Sequence, residues 1–363
     1  MEKLRIRPIA VYLPQFHPIP ENDIWWGKGF TEWTNVAKAK PLFRNHYQPH
    51  LPGELGYYDL RVPEVREAQA QMAQEAGIYG FCYYHYWFNG KRLLNRPIDD
   101  VLITGKPDFP FCFCWANESW SRRWLGQEVD ILIRQTYSDE DYLNHINWLI
   151  PVFSDPRYIK INGRPVFIIY RAFGLPEPGK LVEIFKSRCL QEGIPEPYLI
   201  ASAGPNDLRK SGFDALWNFE PQLSVLPCFL YDKKHYKKLI GNLRLGILSS
   251  KLKAYSYSEA KERMNRINLL YPYYPCSFVN WDNSPRRGEN GIIIRNSNPD
   301  IFKTYLLSAI EKFMTMDFSG EENLIFINAW NEWAEGNHLE PDLKNGFGYL
   351  NALKEVVKKV NYG

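Results

Sequence analysis

The chain has 363 residues, of which 45% are hydrophobic and 23% charged, and its formal net charge is +3 at pH 7. This length suits one α/β barrel with long loops and is ample for a core that needs no disulfide or metal for stability. The near balance of 44 basic and 41 acidic residues leaves no strongly basic surface, so we expect no nucleic-acid partner. No run of about 18 apolar residues is present, so we expect no membrane span.

Eight short apolar runs are spread along the chain, and each ends in polar or aromatic residues. The runs are continuous rather than alternating, which is typical of parallel strands that are buried on both faces. The predicted strands are Ile9–Leu13, Gly80–Tyr84, Phe109–Trp115, Pro165–Tyr170, Tyr198–Ser202, Ala215–Asn218, Ser277–Trp281 and Leu324–Trp330.

Helical patterns fall between several of these strands, and Ser138 is the predicted N-cap of one of them. The repeated strand–helix alternation favours a single α/β domain over residues 1–363, a (β/α)8 TIM barrel. No Gly-rich phosphate loop follows a strand, which argues against a dinucleotide-binding or P-loop fold. The predicted helices are Val62–Ala76, Asp139–Val152, Gly179–Glu192, Tyr257–Asn268 and Pro299–Met316.

Two segments interrupt the alternation. About fifty residues separate the first strand from the first predicted helix, and a loop of that length in a compact domain is usually functional. In a barrel this loop would cover the C-terminal face, where active sites lie. The Lys- and Tyr-rich stretch at about 231–264 is predicted to form a helical excursion.

The chain is rich in aromatic residues, with 12 Trp, 23 Tyr and 21 Phe, and several stand among polar residues, as in Trp115–Trp120. Flat apolar faces beside hydrogen-bonding groups suit sugars, although for any single Trp a place in the core is the alternative. The six cysteines show no zinc-ligand spacing, and no apolar leader precedes the first strand. We therefore expect reduced thiols, no metal or other cofactor, and a cytoplasmic location.

The strand ends carry the candidate chemistry, because polar residues at the C-terminal ends of barrel strands point into the site. Glu332 and Glu335 lie three residues apart just beyond the last strand. Glycosidic cleavage needs one group to protonate the leaving oxygen and another to act at the anomeric carbon, and two carboxylates fill these roles. We predict Glu332 and Glu335 as the catalytic residues. The predicted substrate-binding residues are Tyr12, Gln15, His17, Trp33, His85, Trp87, Trp115, Asn117, Glu118, Arg123, Tyr170, Glu220, Trp281, Trp330, Asn331, Trp333 and Glu340.

Several of these residues have a plain structural alternative. A single strand-end carboxylate, such as Glu118 or Glu220, is equally suited to a salt bridge or a helix cap. His85 suits either a ligand hydroxyl or a hydrogen-bonded core position, and Arg123 suits either an acidic ligand or an ion pair with Glu118. A metal site is a minor alternative for four residues of the chain, whose spacing matches no ligand motif. These four are His17, Glu32, His46 and His50.

The segment Asn331–Gly336 (Asn-Glu-Trp-Ala-Glu-Gly), followed by Leu339–Pro341 (Leu-Glu-Pro), resembles the Asn-Glu-Trp-x-Glu-Gly…Glu-Pro signature of glycoside hydrolase family 99. That family comprises endo-acting α-mannosidases on (β/α)8 barrels. Over nearly its full length the chain is still more similar to the family 99-like WbsX-type group, which is found with bacterial polysaccharide and O-antigen (lipopolysaccharide) genes. The further motifs that carry this resemblance are Tyr12–His17, Trp25–Trp33, Tyr83–Trp87, Trp115–Glu118 and Asp155–Tyr158.

The resemblance implies a retaining mechanism. Glu332 would assist attack by the substrate's own 2-hydroxyl to give a 1,2-anhydro sugar, and Glu335 would act first as acid and then as base. Ala334 stands where family 99 commonly has His. The resemblance therefore implies more about the two carboxylates than about the identity of the sugar.

The expected function is a retaining glycoside hydrolase or transglycosylase on a bacterial-type, α-mannoside-like polysaccharide, because either water or a sugar acceptor can open the intermediate. The alternative is a glycosyltransferase of surface-polysaccharide synthesis, although no Asp-x-Asp at a strand end and no Gly-rich loop marks a diphosphate site. A non-catalytic glycan-binding module would keep the aromatic residues but has no need of paired acids. The expected partner is an oligo- or polysaccharide, and no feature of the sequence fixes an oligomeric state.

Overall fold

A computed structural model describes residues 5–121, 130–204, 206–226, 252–266, 269, 271–318 and 320–363. Eight parallel strands form its centre, at the eight predicted positions. The first strand pairs with both the second and the eighth, so the sheet closes, and the (β/α)8 prediction is confirmed. The barrel strands are β1 (Arg7–Tyr12), β2 (Gly80–Phe88), β3 (Phe111–Trp115), β4 (Arg164–Ile169), β5 (Tyr198–Ser202), β6 (Ala215–Phe219), β7 (Tyr274–Phe278) and β8 (Leu324–Asn328).

The barrel strands are almost wholly buried, because helices cover the outside and side chains fill the inside. Gly80 begins β2 where there is no room for a side chain, since a Cβ there would lie 2.5 Å from the carbonyl oxygen of Pro110. Cys82 and Cys112 stand side by side in the register of β2 and β3. All five cysteines among the described residues are free and buried, as expected for structural thiols.

Strand β7 begins and ends three residues before the predicted Ser277–Trp281, which corrects that boundary. The reason is a change of partner after Phe278, the last residue of β7 paired with β8. Trp281–Asp282 leave the barrel and pair antiparallel with Ile292–Arg295. The chain beyond β7 therefore rises over the C-terminal end of the barrel.

The five predicted helices are present, with each end within three residues of its prediction, and the described residues hold five further helices that the sequence pattern did not predict. Ser138 caps α5 as predicted, because its hydroxyl accepts a hydrogen bond of 3.1 Å from the Asp141 backbone N–H. No helix in the described ranges is long and apolar enough to cross a bilayer. The helices are α1 (Pro20–Trp26), α2 (Glu32–Lys38), α3 (Pro63–Glu75), α4 (Arg96–Thr104), α5 (Asp139–Phe153), α6 (Pro178–Gln191), α7 (Tyr257–Asn265), α8 (Ser284–Arg287), α9 (Pro299–Phe313) and α10 (Gly348–Tyr362).

Short strands lie outside the barrel, and several of them follow a barrel strand at its C-terminal end. Within the predicted helical excursion at 231–264, the described part holds Lys253–Ser256 and α7, and residues 231–251 lie outside the described ranges. The strand Lys253–Ser256 pairs in parallel with Ile292–Arg295. The short strands are Lys91–Leu93, Trp120–Ser121, Ile131–Ile133, Lys160–Ile161, Lys253–Ser256, Trp281–Asp282, Ile292–Arg295, Asn331–Glu332 and Asn337–His338.

Candidate active site

The predicted catalytic segment forms a tight hairpin beyond β8. Asn331–Glu332 pairs antiparallel with Asn337–His338, and a single 3₁₀ turn, Trp333–Glu335, joins them. We call Trp333–Glu335 the catalytic turn. Gly336 closes it with φ +60°, a conformation that favours glycine. The side chain of Asn331 fixes the hairpin to the chain after β1, because its amide bonds both the N–H and the carbonyl of Leu13, at 2.8 and 3.0 Å.

Arg286, on α8, joins the two neighbouring carboxylates of the turn to a third from a distant part of the chain. Its Nη1 donates to Glu335 Oε1 at 2.6 Å, and its Nη2 donates to Glu332 Oε2 at 2.9 Å. Its Nε donates to Glu32 Oε1 at 2.9 Å, and Nη2 also contacts that oxygen. Glu32 is fully buried on α2, so the long loop after β1 supplies one wall of this charge cluster.

The charges of this cluster do not balance when all four groups are ionised. One guanidinium faces three carboxylates, and burial disfavours the excess negative charge. Burial raises the pKa of Glu332 to about 8, with Arg286 opposing this shift and Glu335 adding to it. Burial also raises the pKa of Glu335, whereas the carboxylates hold the pKa of Arg286 well above its ordinary value despite its burial. The cluster therefore retains a proton near neutral pH.

Glu332 and Glu335 face a cleft of about 350 Å³. Their side chains are 7% and 20% exposed, so Glu335 is the more open of the two. Both aromatic and polar side chains line the cleft, a mixture that suits a sugar. The predicted site residues that line it are Gln15, Glu118, Tyr170, Trp281, Glu332 and Glu335.

Glu340 lies outside the cleft lining and supports the catalytic turn. It accepts hydrogen bonds from Trp333 Nε1 at 2.5 Å, Gln69 Nε2 at 2.6 Å and the hydroxyl of Tyr58 at 2.9 Å. Burial raises the pKa of Glu340 to about 7, against the opposing effect of these donors. The hydroxyl of Tyr12 donates to Gln69 at 2.6 Å and so extends the same network.

Two more predicted tryptophans are buried near this network. Trp33 packs against Trp333 with ring centroids 5.3 Å apart, and its Nε1 donates to the carbonyl of Tyr58 at 2.8 Å. Trp330 is fully buried against Phe81, with ring centroids 5.1 Å apart. Neither residue lines the cleft, and Trp33 braces the turn through direct ring contact.

Strand β2 continues past the predicted end, and its alternation separates two sets of side chains. Tyr84 and Tyr86 line the cleft. His85 instead meets His145 of α5 with 3.0 Å between their Nε2 atoms, and burial lowers the pKa of His85 well below its ordinary value. Of the two alternatives for His85, the structure shows the hydrogen-bonded core position.

Trp87 and Trp115 belong to the same layer between the barrel and α5. The Nε1 of Trp87 donates to Asp141 at 2.8 Å, and the Nε1 of Trp115 donates to the carbonyl of Trp87 at 3.2 Å. Both rings are buried, and neither lines the cleft. Their indole N–H groups are therefore satisfied within the protein.

The remaining predicted residues have varied positions. Glu118 forms a salt bridge of 2.8 Å with Arg171 at the cleft wall, and Asn117 accepts a bond of 2.7 Å from the Arg171 backbone N–H. Glu220 is buried, accepts a hydrogen bond from Tyr305, and has its pKa raised by burial to about 8. His17 is buried away from the cleft lining. Arg123 lies outside the described residues.

The four residues of the minor metal-site alternative are divided among different partners. Glu32 binds Arg286, and His46 Nε2 lies 2.7 Å from Asp282 Oδ2. Within the described residues, the one group of three side chains with ligand atoms within 4.8 Å of one another contains His50 but none of the other three. This group is His50, His338 and Asp342.

Sequence reasoning missed most of the cleft's aromatic and basic residues. Arg286 stands in the polar run that follows β7, a signal that a strand-end search extended by a few residues would have included. Tyr84 and Tyr86 lie in the motif Tyr83–Trp87, from which the sequence predicts only His85 and Trp87 as site residues. The cleft residues outside the prediction include Trp26, Tyr84, Tyr86, Trp120, Arg171, Phe219, Asn283, Arg286 and Arg287.

Comparison with known proteins gives a family match over almost the whole chain. A family model described as Glycosyltransferase WbsX matches residues 8–353. A protein from Xanthomonas campestris pv. campestris (strain B100), described as uncharacterized protein WxcX, is 39% identical over 361 residues. The match covers 99% of this chain and 50% of that relative, so the chain spans about half the length of the curated relatives it matches.

Solved structures show a similar fold at low sequence identity. The GH99 endo-α-mannosidase from Bacteroides thetaiotaomicron is 14% identical, with a TM-score of 0.57 over 98% of this chain and 97% of that chain. A glycoside hydrolase-like protein is 16% identical, with a TM-score of 0.59 over 98% of this chain and 94% of that chain. At these identities the likeness concerns the barrel fold.

Proposed function

This chain belongs to the Glycosyltransferase WbsX family, and from that premise we propose that it is a retaining carbohydrate-active enzyme that cleaves or transfers glycosidic bonds of a bacterial polysaccharide. In this proposal Glu332 is the base that assists the substrate 2-hydroxyl, and Glu335 is the acid and then the base. The observation that carries the proposal is the cluster in which Arg286 binds both of these carboxylates at the wall of an aromatic cleft. The α-mannoside-like substrate and the 1,2-anhydro route come from the resemblance to glycoside hydrolase family 99.

The charge imbalance of the cluster supports acid–base chemistry. A glycosidase needs one carboxyl group that is protonated and a second that is ionised in the same site, and a cation that binds both allows the proton to move between them. Glu335 is the more exposed of the two, which suits contact with the leaving group and later with water or an acceptor. Glu332 is the deeper one, which suits contact with a hydroxyl of a sugar already bound.

The proposed first step moves two protons and breaks one bond. Glu332 takes the proton of the substrate 2-hydroxyl while O2 attacks the anomeric carbon, and the C1–O bond to the leaving group breaks. Glu335 gives its proton to the departing oxygen. In the second step Glu335 takes a proton from water or from a sugar hydroxyl that opens the 1,2-anhydro ring at C1, and Glu332 returns its proton to O2.

Paired substitutions at the two acids test this assignment. With the native glycan, Glu335→Gln lowers kcat/KM by roughly 100- to 10,000-fold, the usual range for loss of a general acid. An aryl leaving group of low pKa restores much of the Glu335→Gln rate, because that group needs no proton, but it does not restore the rate of Glu332→Gln. Glu118→Gln is the matched control on the same cleft wall. Unchanged turnover by Glu335→Gln would refute the assignment.

Transfer from a sugar nucleotide is the second candidate function, and two observations favour it. The family description is that of a glycosyltransferase, and Arg171 and Arg287 line the cleft where a diphosphate needs cations. Incubation with nucleoside-diphosphate sugars and an acceptor glycan distinguishes the two. Release of nucleoside diphosphate that depends on Glu332 would favour transfer, and cleavage of a glycan without any nucleotide would favour the first proposal.

A further inference from the structure

A second buried cluster lies beside the catalytic turn, where the ring of His338 stacks on Trp333. His50, His338 and Asp342 have ligand atoms that all lie within 4.8 Å of one another, and all three residues are buried. Neither the acid–base pair nor the cleft lining includes any of them. The chemistry of two imidazoles and one carboxylate is that of a zinc-type site.

The distances within this cluster suit ligands that share one ion. His50 Nδ1 lies 3.1 Å from His338 Nε2, and His338 Nε2 lies 3.8 Å from Asp342 Oδ2. Ligand atoms at about 2.0–2.2 Å from a tetrahedral zinc ion are roughly 3.3–3.5 Å from one another, which falls between these two values. The third pair of atoms, on His50 and Asp342, lies within 4.8 Å, so all three are close enough to face one ion.

The tautomer of His338 is set by a backbone contact. Its Nδ1 lies 3.0 Å from the carbonyl oxygen of Glu340, and because a carbonyl only accepts, Nδ1 carries the hydrogen. Nε2 is then unprotonated and accepts a hydrogen bond from His50 Nδ1, and His50 carries its hydrogen on Nε2 instead when both nitrogens bind an ion. A hydrogen bond from the second ring nitrogen to a backbone carbonyl is the usual outer-shell arrangement of a metal-binding histidine.

The charge state of the cluster favours a cation as well. Asp342 supplies a buried carboxylate within the cluster itself. Lys344 and Asp282 line the adjoining cavity of about 290 Å³, and the charges of Asp282 and Asp342 oppose that of Lys344.

We propose that His50, His338 and Asp342 form a binding site for one divalent transition-metal ion of the zinc type, with water as the fourth ligand. The ion joins the loop after β1 to the chain that follows the catalytic turn, beside the backbone bond of 2.8 Å from Gly53 N–H to the Pro341 carbonyl. The ring of His338 stacks on Trp333 with centroids 3.7 Å apart. Metal binding thereby fixes the turn that carries Glu335.

Metal analysis of the whole protein tests this inference without any glycan substrate, so its failure is distinguishable from failure of the proposed function. The protein is dialysed against a chelator and then titrated with Zn²⁺. We expect one tightly bound Zn²⁺ ion per chain, measured by mass spectrometry of the metal content. The Tm of the protein rises by a few degrees at free Zn²⁺ about a hundredfold above Kd. Co²⁺ in place of Zn²⁺ gives visible ligand-field bands of a four-coordinate site.

Substitutions locate the ion. His50→Gln and Asp342→Asn each weaken Zn²⁺ binding by more than about 100-fold, because each removes a direct ligand. His46→Gln is the matched control, since His46 lines the same cavity but binds Asp282 and lies outside the ligand set. Zinc-edge X-ray absorption of the unaltered protein shows scattering from two imidazoles. No tight equivalent in the unaltered protein, or undiminished binding by His50→Gln, would overturn the proposal.

Discussion

Buried carboxylates occur in two places beside the catalytic turn, one as the single acid Glu340 and the others in the cluster around Arg286. Their hydrogen-bond donors differ in kind. Glu340 has three neutral donors, Trp333, Tyr58 and Gln69. Glu332 and Glu335 instead share the single guanidinium of Arg286 with a third carboxylate. Neutral donors that surround one acid hold it in one place, whereas one cation shared among several acids allows the proton to change position. The comparison separates an acid that supports the turn from acids suited to proton transfer.

Removal of Arg286 is expected to have the largest effect. Arg286→Gln leaves three buried carboxylates without their cation, which is expected to cost about 3–5 kcal/mol of the free energy of unfolding. Activity is expected to fall by at least about 100-fold, because the ionised base loses its charge partner. Urea denaturation and kcat/KM measure the two effects. Arg287→Gln is the matched control in the same cleft. Equal losses of stability and activity in the two variants would contradict the role of Arg286 as the shared cation.

The pH dependence of activity tests whether Glu332 acts as the base. Because burial raises the pKa of Glu332 to about 8, this group is protonated below that pH, and a protonated carboxyl cannot act as a base. We expect kcat/KM to rise with pH along an acidic limb that lies above the ordinary carboxyl range, and to fall again where Glu335, whose pKa burial also raises, loses the proton that it donates. Glu340→Gln should leave this limb in place, whereas Glu332→Gln should abolish it. A limb near pH 4.5 in the unaltered enzyme would contradict the role of Glu332.

Glu340→Gln probes the supporting acid, and its effect is expected to be on stability more than on rate. The amide brings an N–H₂ group against three donors, at an expected cost of about 1–3 kcal/mol. The pKa of Glu340 is raised from 4.5 to about 7 in the folded protein, so the unaltered protein loses stability as pH rises between these values. The stability difference between the two proteins is therefore larger at pH 5 than at pH 8. Equal differences from urea denaturation at both pH values would refute this account of Glu340.

The smallest expected effect concerns the end of the catalytic turn. Gly336 and Gly105 both have left-handed φ, +60° and +72°, and each follows a helical turn. A Cβ on Gly336 would lie 3.2 Å from Asp282 and from His50, whereas one on Gly105 meets nothing within 4 Å. Both Ala variants should lose about 1–2 kcal/mol from the backbone alone. Gly336→Ala should lose more and also lower kcat, and matching Tm and kcat values in the two variants would show that this contact is unimportant.

The sequence predicts the barrel well because its eight strands are continuous apolar runs, and such runs need no knowledge of distant contacts. The prediction of Glu332 and Glu335 as neighbours at one cleft relied on a local spacing of three residues. Arg286 could not be assigned in this way, since its partnership with Glu32 depends on a contact across 254 residues of sequence. The apolar pattern places the end of β2 at Tyr84, which makes His85 and Trp87 the strand-end candidates. In the structure β2 continues to Phe88, and Tyr84 and Tyr86 are the residues at the cleft. Sequence patterns locate strand ends poorly.

The distance in sequence between Glu32 and Arg286 also has a consequence during protein synthesis. The two residues are 254 positions apart, and at about 5–20 residues per second a ribosome needs roughly 10–50 s to add the second after the first. Throughout that interval the nascent chain carries the acidic wall of the site without the cation that balances it. The charge cluster around Arg286 is therefore among the last parts of the molecule to assemble, after most of the barrel strands have been translated.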